Sequence, residues 1–181
     1  MLVIKRFFLL KILILFSFSG SYAKDLNILF EELLDAKNIN EAENIEQNIW
    51  QTWTNHPQNK YLTIKLENGT FSMNNQQYQL ALKLFTDVIE EDPSWAEGWN
   101  KRATLLYLMG NYKASLKDIE KVLNLEPRHF GALSGRAQIY LSFKEYEKAI
   151  TDLEKAKSIY PLIKSAQSIN VIKKLIKELQ I

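Results

Sequence analysis

Pro93, Pro127 and Pro161 stand 34 residues apart, twice over. A fixed period of that size marks one supersecondary unit used repeatedly, so an array is tested before any other fold. The residues between the prolines keep the register. A shift of 34 carries Tyr78 onto Tyr112 and Tyr146, Ala81 onto Ser115 and Ala149, Phe85 onto Ile119 and Leu153, and Val88 onto Val122 and Ala156. Gly69 falls in the same way on Ala103 and Ala137. Proline lacks an amide proton and clashes with the preceding turn, so each one stops a helix. Every period then reads as a helix, a turn near Gly110 or Lys144, a second helix and a proline. The small residues fall where two helices of a hairpin cross most closely, since close approach needs little side chain on either side. Ser94 and Glu97 have the S-x-x-E spacing of a capping box and are expected to start the helix after Pro93.

Apolar residues make up 46% of the 181, enough for a real core, and they recur at helical rather than alternating spacing. The fold class is therefore all-α. There is no Cys, which excludes a disulfide framework, a thiolate metal site and a thiol nucleophile. His56 and His129 lie near helix-terminating prolines and are expected to be turn residues; Glu90, Glu91 and Asp92 are expected to be solvated. No phosphate loop, nucleophile elbow or metal-ligand spacing is found. The expectation is a protein without cofactor, metal or catalytic set.

Residues 1–23 place Lys5, Arg6 and Lys11 ahead of a largely apolar run from Ile12 to Phe18, with small Ser21 and Ala23 after it. That is the pattern of a secretory leader cleaved after Ala23. Lys11 leaves the run well short of the roughly 20 apolar residues that span a bilayer. The expected location is the bacterial periplasm, and the alternative is an uncleaved inner-membrane anchor. The leader holds three of the 23 basic residues and none of the 21 acidic ones. Without it the chain is near neutral, which argues against a nucleic-acid partner.

Trp99, Arg102, Ala103, Leu106, Ser115, Ile119, Val122 and Pro127 occupy the places of a known signature, and on these residues the chain resembles the tetratricopeptide repeat family. The resemblance covers residues 60–161, and it implies a right-handed superhelical array of antiparallel helix pairs, an α-solenoid. Repeats are expected at 60–93, 94–127 and 128–161. The first has Lys65 in place of Trp, and Arg102 and Arg136 stand where Leu is common. Residues 24–59 form a degenerate, acidic helical hairpin that does not fit the period. Residues 162–181 carry Leu162, Ala166, Ile169, Ile172, Ile176 and Leu179 on one stripe and are expected to form a capping helix over the last apolar face; the alternative for this basic segment is binding at a membrane surface.

Arg102 lies in the stripe Trp95, Trp99, Arg102, Leu106, Met109, and a charge among apolar residues needs a partner. The register supplies one. Arg102 shifts onto Arg136 and Asp118 onto Asp152, while the repeat at 60–93 has Asn68 and Leu84 in those places, so base and acid come and go together. Two structural ion pairs are expected, Arg102 with Asp118 and Arg136 with Asp152, because a guanidinium holds a carboxylate with two parallel hydrogen bonds. The four Trp are read as packing residues.

The family resemblance further implies that the first helices line a concave groove for a protein or peptide, with Thr70, Met73, Asn100, Lys101, Thr104, Tyr107, Ser134 and Gln138 as its binding residues. Relatives that grip a C-terminal carboxylate use a Lys, Asn, Asn, Lys, Arg set, where this chain has Leu66, Thr70, Lys101, Gly131 and Gly135. An internal segment or a helix is thus the expected ligand. The functional expectation is an exported adaptor; the alternative is a scaffold subunit of an envelope assembly, self-associating through its acidic N-terminal and basic C-terminal ends.

Overall fold

The structure is a computed structural model that describes residues 26–179; the leader expected over 1–23 lies outside the described residues. Among the described residues there are helices and no strands: α1 (26–35), α2 (Ile39–Thr54), α3 (Lys60–Asn74), α4 (Tyr78–Glu91), α5 (Ala96–Leu108), α6 (Tyr112–Leu125), α7 (Phe130–Ser142), α8 (Tyr146–Ile159), a short 3-10 turn (Lys164–Gln167) and α9 (Ser168–Leu179). None is long and apolar enough to cross a membrane. Two compact units divide between Thr52 and Trp53. In the first, Asn38 caps α2 by accepting from the Glu41 amide at 3.0 Å, and Trp50 donates to Glu46 at 3.1 Å.

In the second unit α3 packs on α4, α5 on α6 and α7 on α8, and α4 meets α5 as α6 meets α7. The same local chemistry recurs at each period. The residue before each proline, Asp92, Glu126 and Tyr160, is extended, since the proline ring disfavours helical geometry there. Its amide still reaches back to Val88, Val122 and Ala156. Each hairpin turn contains one residue of positive φ, at Gln76, Gly110 and Lys144, and the amide after it bonds to Ser72, Leu106 or Tyr140. Only Gly110 adopts that conformation without a Cβ penalty.

The narrow crossings carry the small residues. Ser115 donates to the Ala103 carbonyl at 2.7 Å across the α5–α6 contact, and Ala137 lies with Ala149 in the cluster between α7 and α8. Across the α3–α4 crossing, Gly69 faces the ring of Phe85, where an added Cβ would stand 2.5 Å from Cε1. The other crossings have Ala against Ile119 or Leu153, so the largest opposing side chain meets the residue with none. Beyond α8, Ile169 and Ile172 of α9 join Ala149, Ile150 and Leu153 in one buried cluster.

Ser94 and Glu97 form no capping box. Trp95 is the N-cap of α5 and makes no side-chain cap; Ser94 donates to Asp92, and the Glu97 carboxylate is drawn inward to polar partners that sequence spacing does not reveal.

The Gly69–Phe85 fit is testable by a double-mutant cycle on unfolding free energy. Gly69→Ala should destabilise by about 1–2 kcal/mol, overpacking outweighing the gain in helix propensity. The same change should cost less in a Phe85→Leu background.

Candidate functional site

The first helices of the repeats run side by side, and between α5 and α7 they leave an open pocket of about 100 Å³. Its walls are Asn100, Thr104 and Tyr107 from α5 and Gly131, Gly135 and Gln138 from α7, with Ser115 and Ile119 of α6 at its base. The glycines make it wide: a Cβ added at Gly135 would meet nothing within 4 Å. Gln138 and Thr104 are exposed and Tyr107 is half-buried, its ring tilted against Tyr112. The lining is uncharged, with amide, hydroxyl and phenol groups that can give and take hydrogen bonds.

Four of the expected binding residues, Asn100, Thr104, Tyr107 and Gln138, therefore share one pocket; the other four do not line it. Met73 is buried in the core cluster around α3 and α4. Thr70 turns its hydroxyl onto the Leu66 carbonyl at 2.9 Å. Ser134 exchanges a 2.8 Å hydrogen bond with Ser165. Lys101 pairs at 3.3 Å with Glu97.

The helices that line the pocket also carry charges neutralised in pairs. Arg102 donates through Nε to Asp118 Oδ2 at 2.7 Å and through Nη2 to Oδ1 at 2.9 Å. Arg136 does the same to Asp152, at 2.7 Å for both bonds. Both aspartates are buried and both arginines half-buried. The Arg102 guanidinium also reaches Thr86 of α4 at 3.3 Å and lies over the Trp99 ring, so one side chain joins three helices. The bond to Asp152 raises the Arg136 pKa above its ordinary value, with a smaller contribution from Glu120 of α6.

At the N-terminal ends of α5 and α7 lies a buried polar cluster. Glu97 is bonded by the Asn100 amide at 3.1 Å and faces His129 Nε2 at 3.2 Å. His129 Nδ1 accepts from the Ala132 amide at 3.0 Å and caps α7. With Nδ1 an acceptor, the ring proton sits on Nε2 and is donated to Glu97. The imidazole stacks on Trp53 with centroids 4.1 Å apart, and the Trp53 carbonyl takes the Trp95 indole N–H at 2.9 Å. Burial opposes the Glu97 charge most strongly, yet His129, Lys101 and Asn100 together hold its carboxyl below the usual range.

His56 repeats the arrangement. Its Nδ1 accepts from the Gln58 and Asn59 amides, at 3.2 and 2.9 Å, and its Nε2 meets Asp92 at 2.8 Å. Both histidines stand in turns between helices, as expected, and each is also paired with a carboxylate; His129 caps α7, while the cap of α3 is Asn59. The Glu90–Asp92 stretch is not simply solvated, since Glu91 pairs with Lys65 and Asp92 with His56 and Ser94. The pairings Lys65–Glu91, Glu97–His129 and His56–Asp92 join residues 26 to 36 apart with no repeated register, so neither period nor spacing points to them. Among the described residues no group of three or more His, Asp or Glu is placed to hold a metal ion.

The depressed Glu97 pKa fixes a sign. An unfolded glutamate titrates near about 4.3, above the folded value, so in that window the unfolded chain binds more protons. The stability Glu97 contributes is complete above the unfolded pKa and is lost as pH falls through the folded one. Unfolding free energy measured by urea titration should therefore fall as pH drops below about 4, and Glu97→Gln should make that fall shallower.

A tetratricopeptide repeat family model matches residues 96–129 and a second matches 131–161. A TPR repeat-containing protein of Rhizobium etli is 35% identical over 149 residues, covering 82% of this chain and 72% of that one. In fold, the chain is similar to the first TPR of Spaghetti (RPAP3) bound to the HSP90 peptide SRMEEVD. That match has a TM-score of 0.61 and 17% identity over 64% of this chain and 93% of the other. It is similar also to the Sgt2 TPR domain of Aspergillus fumigatus, with a TM-score of 0.62 and 18% identity over 67% of this chain and 83% of the other. Register, hairpin packing and relatives agree, and the chain belongs to the tetratricopeptide repeat family.

Proposed function

We propose that the protein is an exported adaptor that binds an uncharged stretch of a protein partner in the pocket between α5 and α7 and performs no reaction itself. The observation that carries this reading is the pocket: a concave opening with one wall cleared at Gly135 and neutral hydrogen-bonding groups around it suits a peptide backbone or a small apolar side chain. The peptide bound to the Spaghetti TPR, SRMEEVD, is acidic. This pocket offers an acidic segment little, because no basic side chain lines it, and Arg102, Arg136 and Lys101 of the same two helices are engaged by Asp118, Asp152 and Glu97. The preferred ligand is accordingly neutral and internal to its protein. Support for export comes from the basic and then apolar residues of 1–23, which direct the chain to the periplasm.

Gly135→Leu tests the reading, since Gly135 lines the pocket and a Cβ added there meets nothing within 4 Å. A tagged chain at native expression should co-purify a partner from the envelope fraction, and the variant should lose it while melting like the parent. Retention of the same partner by Gly135→Leu would place binding elsewhere.

A further inference from the structure

In the second and third repeats, two positions on the first helix are covered by the hairpin before. Gly98 lies so close to α4 that an added Cβ would stand 3.0 Å from Val88 Cγ1 and 3.4 Å from Ile89 Cγ1, and Leu105, seven residues on, is fully buried. One period later, Ala132 and Ile139 lie in an apolar cluster with Val122 of α6. One period earlier the same positions are Ile64 and Phe71. They are 44% and 69% exposed, and Tyr61 on the same side of α3 is 61% exposed.

We propose that this face of α3 is a self-association surface, covered by the same face of a second copy about a two-fold axis. An exposed apolar stripe of this kind marks an interaction site, and side-chain size restricts what fits. Ile64 stands where the other repeats have Gly98 and Ala132, so a helix approaching as closely as α4 approaches α5 would collide with it. The mate must stand further off and receive Ile64 and Phe71 between its own side chains. A second α3 does so. Running antiparallel with the axis beside Ile64, it sets Ile64 against its own copy and brings Tyr61 of one protomer near Phe71 of the other. Lys60 and Glu67, both exposed and seven residues apart on one edge of the stripe, then lie near each other across the axis with opposite charge. Such a contact uses one patch twice and closes as a dimer. It does not depend on the pocket between α5 and α7, nor on the charged ends of the chain.

Sedimentation equilibrium of the full chain over a wide concentration range tests the proposal. The parent should form a dimer, and Phe71→Asp should weaken it by at least about tenfold with an unchanged helical circular-dichroism spectrum, because the side chain supports no core. Leu108→Asp, at an exposed apolar residue on another helix, should leave the dimer intact. Lys60→Glu should weaken association, and adding Glu67→Lys should restore it. A parent that stays monomeric throughout, a dimer indifferent to Phe71→Asp, or a charge swap without recovery would overturn the proposal.

Discussion

The guanidinium of Arg102 is set among apolar side chains, and across the α5–α6 hairpin Asp118 meets it there with two hydrogen bonds. Leaving either charge unpaired would cost several kcal/mol, so the pair specifies how the two helices cross. The small residues Ala103 and Ser115 then set the distance, locked by the serine hydroxyl on the alanine carbonyl. By touching Thr86 and Trp99 as well, Arg102 ties its hairpin to the one before, and Arg136 with Asp152 repeats the closure one period on.

The two ends of the array meet different fates. Behind α8, the apolar face is covered by Ile169 and Ile172 of α9. On α3, the corresponding stacking positions are large and exposed. Repeats that cannot bury their own faces need either a cap or a neighbour, and the chain has the residues for one at each end. The binding proposed for the pocket and the association proposed for α3 use different surfaces of the same stack, so the two proposals stand or fall separately.

How much was legible in the sequence depended on whether a feature obeys the period. The helical hairpins, their prolines and their small crossings repeat at 34 residues and can be read directly. The Arg–Asp pairs are written as a correlated presence and absence, with Asn68 and Leu84 as the internal control. The Glu97–His129–Trp53 cluster obeys no period: it gathers one residue from each of three segments through burial alone. Local spacing even suggested the wrong role for Glu97, because an S-x-x-E pattern reads as a cap wherever its glutamate is free to turn back. Four expected groove residues do not line the pocket: Thr70 and Met73 belong to α3, and Lys101 and Ser134 meet Glu97 and Ser165. Helical spacing assigns a face but not the competing partners, such as the Ser165 hydroxyl that takes Ser134.

The most direct test of the account is a double-mutant cycle on Arg102→Leu and Asp118→Leu, with unfolding free energies from chemical denaturation. If the embedded pair organises the hairpin, each single change should destabilise by about 3 kcal/mol or more. The double change should lose far less than the sum of the two. Single losses that simply add would contradict it, because each side chain would then be acting without the other.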